Sequence, residues 1–305
     1  MNVWLMLPGV QKALPILALL VAMVLWGSSF VALKYSFQEM HPLAVIFGRM
    51  AVASLCFFPF LRSFARMGLR RRHLLPVLAM CLCEPCLYFL FESGALVFTG
   101  ASQAAMITTM LPLMVAISAG LVLGERVSAR TVAGFLVAVG GAIWLSLAGR
   151  KSDLAPNPML GNFLEFMAMV CATGYTILMK RLSKELHPFF LTGIQAFTGA
   201  LFFAPALLLP QVHTVSDLPL NGLLAILYLG TVVSVGAYGL YNFGISRIQA
   251  SQAAAFVNLI PVFSILLGYL ILGERLTTWQ WWACALVFCG VLLSQDSGHG
   301  GGTPK

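Results

Sequence analysis

The chain has 305 residues, of which 60% are apolar and 9% are charged. Soluble domains carry roughly 25% charged residues, so this composition, with a mean hydropathy of +0.91, excludes a water-soluble globule. The net charge of +8 does not predict a nucleic-acid partner, because the basic residues lie between apolar runs and form no continuous face. The apolar runs are about 20 residues long and lack strict alternation, which predicts an all-α integral membrane protein embedded in the lipid bilayer.

The polar segments that separate the apolar runs predict ten transmembrane helices. Their expected ranges are 13–33, 42–61, 74–97, 102–123, 130–148, 159–179, 189–209, 219–241, 252–272 and 278–294. The clearest hydrophilic loops are 62–73, 149–158 and 211–219. The glycine-rich tail at 295–305 is expected to be disordered.

The two halves of the chain repeat one another. The segment ASQAA at 101–105 occurs again at 250–254. When residues 101–126 are aligned with residues 250–275, eleven of the 26 positions are identical. A second match, at an offset of 146 residues, pairs 34–42 with 180–188. Self-similarity of this kind indicates a duplicated structural unit.

The repeat divides the chain into two five-helix units. The first is expected at 13–148 and the second at 159–294. With the N-terminus in the cytoplasm, thirteen Lys and Arg residues fall on the cytoplasmic side and four on the outer side, so both termini are expected to be cytoplasmic. Because five is an odd number, the second unit should enter the membrane the opposite way round. An inverted repeat gives one bundle two similar gates, as alternating access requires.

The order of these features resembles the drug/metabolite transporter superfamily, EamA type. The resemblance rests on ten spans in two inverted halves, WGSSF at 26–30, and GER at 124–126 and 273–275, after the fourth and ninth spans. It covers 13–294 and implies a multi-pass secondary transporter in the bacterial inner (plasma) membrane. The implied activity is export or exchange of small metabolites, such as amino acids, related compounds and drug-like molecules, through a central cavity lined by both halves. The oligomeric state stays open.

Two prolines mark equivalent points of the repeat. Pro112 and Pro261 fall near the middle of the fourth and ninth spans, where the missing N–H is expected to kink the helix. Matched interruptions in corresponding helices point to a binding site. Thr109 and Asn258, about one turn before each proline, are then expected to face the substrate. The alternative is a structural kink with local polar satisfaction.

Four ionisable residues, Arg49, Glu84, Glu92 and Glu165, lie inside the predicted spans. A charge there costs roughly 2.5–3.5 kcal/mol on insertion scales, so each group needs a partner, water or neutralisation. The spacing of Glu84, Tyr88 and Glu92 would place them on one helix face. We expect Arg49 to pair with Glu92 or Glu165, leaving a carboxyl such as Glu84 to exchange a proton. The alternative is a buried salt bridge that only holds the helices together.

Aromatic and amide side chains in the spans suit an organic substrate. The candidates are Trp26, Tyr88, Tyr175, Tyr241 and Asn242, and Glu92 is expected to bind substrate as well. The alternative is ordinary packing or an interfacial aromatic belt, which fits Trp279, Trp281 and Trp282 better than Trp26.

No metal site or cofactor is predicted. The segment CLCEPC at 81–86 has C-x-C-x-x-C spacing, but on a helix Cys81 and Cys83 point in different directions and no further Cys/His group completes a shell. The chain also lacks a Walker A loop and a dinucleotide fingerprint, so transport is expected to use a gradient, with proton coupling as one option. The competing prediction is an integral-membrane enzyme acting on a lipid or thiol, although the histidines are scattered in loops and span ends.

Overall fold

A computed structural model describes residues 8–66, 69–123, 128–149, 151–212 and 219–294. Across these ranges the protein is all-helical, as predicted, and an isolated bridge between Ser152 and Ala155 is the only β-type pairing. The first GER segment at 124–126 and the tail at 295–305 lie outside the described residues.

The described ranges form ten helical segments. They are α1 (Pro8–Ser36), α2 (Pro42–Phe64), α3 (Arg71–Phe98), α4 (Ala101–Val122), α5 (Ala129–Leu147), α6 (Pro158–Leu182), α7 (Pro188–Leu208), α8 (Leu220–Arg247), α9 (Ala250–Leu272) and α10 (Thr278–Ser294). All of these except α5 and α10 are long and apolar enough to cross a bilayer, which gives eight candidate spans in the described part of the chain. The apolar stretch of α5, Val132–Leu147, is shorter, and α10 has 17 residues. The chain is therefore a multi-pass membrane protein.

The predicted ranges are close to the observed helices, and the largest difference at a single helix end is in α8. That helix was expected to end at residue 241 and continues to Arg247. Asn242, the first residue after the predicted end, has a buried side chain that donates hydrogen bonds to Thr192 and Gln195 of α7. The helix continues because the polar side chain is satisfied inside the bundle.

The HP dipeptide of the repeat starts a helix in both halves. His41 and His187 have extended backbones, and each accepts on Nδ1 a hydrogen bond of 3.2 Å from the backbone N–H two residues later. Pro42 and Pro188 follow at the first helical position, where a missing N–H costs nothing. The same cap therefore begins α2 and α7.

The lysine of the repeat makes the same contact twice. Lys34 at the end of α1 donates to carbonyls at the C-terminal end of α3, and Lys180 at the end of α6 does so for α8. The acceptors are Leu96 and Thr99 in the first half, and Ile245 and Ile248 in the second. A cation is favourable there because the last carbonyls of a helix lack intrahelical partners and carry partial negative charge.

The prolines of the repeat change the local helical hydrogen bonding. In α4 the N–H of Leu111 donates to the carbonyl of Thr108, and in α9 that of Ile260 donates to Val257. In a regular α-helix these two carbonyls would accept hydrogen bonds from residues 112 and 261, but Pro112 and Pro261 have no N–H to donate. Each helix therefore tightens into a 3-10 segment before its proline, Thr108–Met110 in α4 and Phe256–Leu259 in α9.

The third helix of each half is also interrupted at matching places. Wide π-helical turns occupy Leu82–Leu87 in α3 and Leu229–Ala237 in α8. Such turns insert extra residues and occur frequently at functional sites.

The halves interleave rather than sitting side by side. α1 packs against α8 and α9 of the second half, and α6 packs against α3 and α4 of the first. Each of α2, α4 and α5 also packs against its own counterpart, α7, α9 and α10. Because helices of one half pack against helices of the other, the interrupted helices α3, α4, α8 and α9 all surround the centre of the bundle.

Candidate functional site

A narrow cavity lies at the centre of the bundle, between α1, α2, α3, α4, α6, α8 and α9. Both halves of the chain line it. The predicted site residues among its lining are Trp26, Arg49, Glu84, Tyr88, Glu92, Tyr175 and Tyr241. Ligand pockets commonly combine apolar walls with a few polar groups, as this cavity does.

Arg49 of α2 is almost completely buried, with 1% of its surface exposed. Its Nε donates to Oγ of Ser234 in α8 at 3.1 Å, and its guanidinium lies 4.2 Å from the centre of the Phe89 ring. Nη1 is 3.9 Å from Oε2 of Glu92, within ionic reach but too far for a hydrogen bond. Of the two partners expected from the sequence, Glu92 is the one near Arg49.

Glu92 and Glu165 form a pair of buried carboxyl groups that the protein satisfies only in part. Tyr88 donates to Oε1 of Glu92 at 2.8 Å. Oε2 of Glu92 and both carboxyl oxygens of the fully buried Glu165 have no hydrogen-bond partner among the described residues. The helices that carry them, α3 and α6, pack against one another, and Glu165 lies beside the cavity, one helical turn before the lining residue Met169. Two negative charges repel each other in a dry site, so the pair needs a proton or a cation.

Glu84 occupies the break in α3. Its backbone is extended (φ −149°, ψ 121°) inside the π-helical turn, so the regular helical spacing expected for Glu84, Tyr88 and Glu92 does not hold at this residue. The break points its carboxyl into the cavity, where Tyr238 donates a hydrogen bond to it. Its free carbonyl accepts a 3.1 Å bond from Nε2 of Gln195 in α7.

Aromatic side chains from three helices form one wall of the cavity. The Trp26 ring centre is 5.1 Å from that of Tyr238 and 4.8 Å from that of Tyr241. Tyr175 lies 6.5 Å from Tyr238. Nε1 of Trp26 is buried without a hydrogen-bond partner in the described structure, so the cavity offers an unused donor beside its aromatic wall.

Tyr238 is a lining residue that the sequence prediction missed. It lies three positions before Tyr241, which places both on the same face of a regular helix, and this spacing was the available signal. Because the π-helical turn ends at Ala237, both tyrosines belong to the regular part of α8.

Thr109 and Asn242 make contacts behind the cavity wall. Thr109 donates to the carbonyl of Met106 in its own helix at 2.7 Å, and its neighbour Thr108 lines the cavity. Asn242 accepts a hydrogen bond from the hydroxyl of Tyr175. Its observed contact therefore holds a cavity tyrosine, and the predicted substrate-binding roles of Thr109 and Asn242 stay predictions.

Asn258 lies next to Val257, which lines the cavity. Both polar atoms of its amide are buried and have no hydrogen-bond partner among the described residues. An unsatisfied buried amide costs free energy, so Asn258 is a group that a ligand or a different conformation would satisfy. Its predicted role stays a prediction.

The GER segment of the second half joins two helices at one end of the bundle. The carboxylate of Glu274 accepts hydrogen bonds from the backbone N–H groups of Ala101, at 2.7 Å, and Ser102, at 2.9 Å. Gly273 ends α9 with a left-handed backbone (φ 66°), which glycine adopts without strain, and this turn directs Glu274 toward α4. The C-terminal end of α9 is thereby joined to the N-terminal end of α4.

The sequence comparisons agree with this architecture. The EamA-like transporter family matches residues 13–147 and 159–295. An uncharacterized transporter of Bacillus subtilis is 25% identical, with 88% of each chain covered. A probable terminal-alkyne amino-acid exporter of Streptantibioticus cattleyicolor is 23% identical, with 90% of this chain and 91% of that protein covered.

A solved crystal structure shares the fold. It matches with a TM-score of 0.68 at 20% identity and covers 91% of this chain and 96% of that chain. The two family matches together span almost all of the helical bundle, which confirms the resemblance inferred from the repeat. The chain belongs to the EamA-like transporter family of the drug/metabolite transporter superfamily.

Proposed function

We propose that this protein is a secondary transporter that exports small organic metabolites, such as amino acids or related compounds, across the bacterial inner membrane by alternating access. The observation that carries the proposal is the central cavity, which is lined by matching helices of both halves and by aromatic and ionisable side chains. A substrate held there touches both repeats, so movement of one repeat against the other exposes it to either side.

The conformation described supports one half of such a cycle. Glu274 joins α9 to α4 at one end of the bundle through two backbone hydrogen bonds. Release of this contact would let α9 move relative to α4 and open that end of the bundle.

Proton exchange at Glu84 is the proposed coupling step. Glu84 is buried at 3% exposure, lines the cavity and is hydrogen-bonded by Tyr238. A carboxyl in this setting can carry a proton in one direction and release it when the cavity opens to the other side. The absence of a Walker A motif from the sequence is consistent with a gradient as the energy source.

Over-expression in bacterial cells, followed by mass spectrometry of the medium, tests export. We expect at least one small metabolite to accumulate outside cells carrying the wild-type protein and not outside cells carrying an empty vector. Counterflow in vesicles with and without a pH gradient tests the coupling. Equal rates in the two conditions would contradict proton exchange while leaving transport itself intact.

A further inference from the structure

We propose that the central cavity selects substrates that carry an ammonium group, with Glu92 and Glu165 as its binding pair. This inference rests on the proposed transport function and names the chemical class of its substrate. It predicts that organic amines are favoured over the corresponding zwitterions and carboxylates.

The charge balance around the cavity favours a cationic ligand. The carboxyl groups of Glu84 and Glu92 line the cavity, and the buried Glu165 lies one helical turn before the lining residue Met169. Arg49 is the one cationic side chain in the described lining, and at 3.9 Å from Glu92 it can offset only one of these three charges. The site is therefore short of positive charge, which a cationic ligand supplies and an anionic ligand worsens.

The hydrogen bonds of these carboxyl groups favour the same class of ligand. Glu84 accepts a hydrogen bond from Tyr238, and one oxygen of Glu92 accepts one from Tyr88. The oxygens without a described hydrogen-bond partner are Oε2 of Glu92, which is only in ionic range of Arg49, and both oxygens of Glu165, which is 0% exposed. An ammonium group has three hydrogen-bond donors and no acceptor, so it matches three acceptor oxygens that lack a donor. A ligand carboxylate would add acceptors where donors are lacking.

The aromatic wall of the same cavity also suits a cation. The ring centres of Tyr238 and Tyr241 lie 5.1 and 4.8 Å from that of Trp26. Aromatic faces attract organic cations, and Trp is the strongest of them. The wall also accepts the apolar body of an aromatic or alkyl amine. The cavity therefore combines the two features that recognise an amphiphilic amine.

The test compares probes that share a ring and differ in charge. Full-length protein is reconstituted in proteoliposomes, and counterflow is measured with radiolabelled phenethylamine, phenylalanine and phenylpropionate. We expect phenethylamine to exchange faster than phenylalanine, and phenylpropionate not to exchange. Preferred exchange of phenylalanine or phenylpropionate would overturn the inference and leave the transport function standing. No exchange of any probe would overturn the inference, while the export assay decides transport separately.

Equilibrium binding of phenethylamine to variants locates the site. Glu165→Gln and Glu92→Gln keep the size of the side chain but remove its charge, and each should weaken binding by about tenfold or more, because hydrogen bonds to charged groups contribute that much. Glu39→Gln is the matched control, since Glu39 is exposed in the loop before α2. Unchanged binding by both cavity variants would overturn the assignment, and the probe comparison on the wild-type protein stands even if a variant fails to fold.

Discussion

Removal of the Glu274 carboxylate should open the contact between α9 and α4. The N–H groups of Ala101 and Ser102 lie in the first turn of α4, where no intrahelical acceptor exists, and Glu274 serves both. A hydrogen bond to a charged group contributes about 1.5–3 kcal/mol. Because Glu274 is only half-buried, the low end applies, and the two bonds together contribute about 3 kcal/mol.

Hydrogen–deuterium exchange at the start of α4 measures this contribution. In Glu274→Ala, the amides of Ala101 and Ser102 should exchange on the order of 100-fold faster than in the wild type, since each 1.4 kcal/mol is a factor of ten. Glu274→Gln keeps one acceptor oxygen and should give an intermediate rate. Glu39→Ala, a change at an exposed glutamate, is the control. Unchanged protection of these two amides in Glu274→Ala would refute the reasoning.

Two further predictions concern packing and pH. A Cβ added at Gly141 of α5 would lie 2.8 Å from a backbone nitrogen of α10, whereas at the adjacent Gly140 it would meet nothing within 4 Å. Gly141→Ala should therefore destabilise the protein by about 1–3 kcal/mol through overpacking, and Gly140→Ala should not; equal melting temperatures would contradict this. A hydrogen bond shared with His73 and the charge of Arg72 hold the pKa of Glu185 below its ordinary value of 4.5. A lowered carboxyl pKa gives stability that is present above pH 4.5 and lost as the pH falls through the folded pKa, so the difference in melting temperature between wild type and Glu185→Gln should vanish in acid, and a persistent difference would count against it.

The positions of the helices could be predicted because they follow from the length of the apolar runs and from local signals. His41–Pro42 and His187–Pro188 begin helices through contacts within three residues of chain. The partners of Lys34 and Lys180 could not be predicted in the same way. They lie 62 to 68 residues away along the chain, and only the packing of the helices brings them together.

The candidate site was predicted less completely because the helices around it are irregular. Face assignments assume 3.6 residues per turn, whereas the segment before Pro112 is a 3-10 helix with three. This change in winding makes the prediction of a facing residue ambiguous between neighbours such as Thr108 and Thr109. The π-helical turns change the winding in the opposite direction, and the break at Glu84 belongs to one of them. Irregular helices at a binding site thus limit what a periodic pattern can predict there.

Counterflow in proteoliposomes, with a mixture of radiolabelled amino acids and aromatic amines, tests the central claim most directly. We expect saturable exchange that is stimulated by solute on the opposite side of the membrane. We also expect a loss of about fivefold or more in Trp26→Ala, because the aromatic wall contributes on the order of 1 kcal/mol or more to binding. Trp281→Ala is the matched control, since Trp281 is 53% exposed on the outer surface of the bundle. Flux that does not saturate, or equal flux in Trp26→Ala and the wild type, would contradict transport through the central cavity.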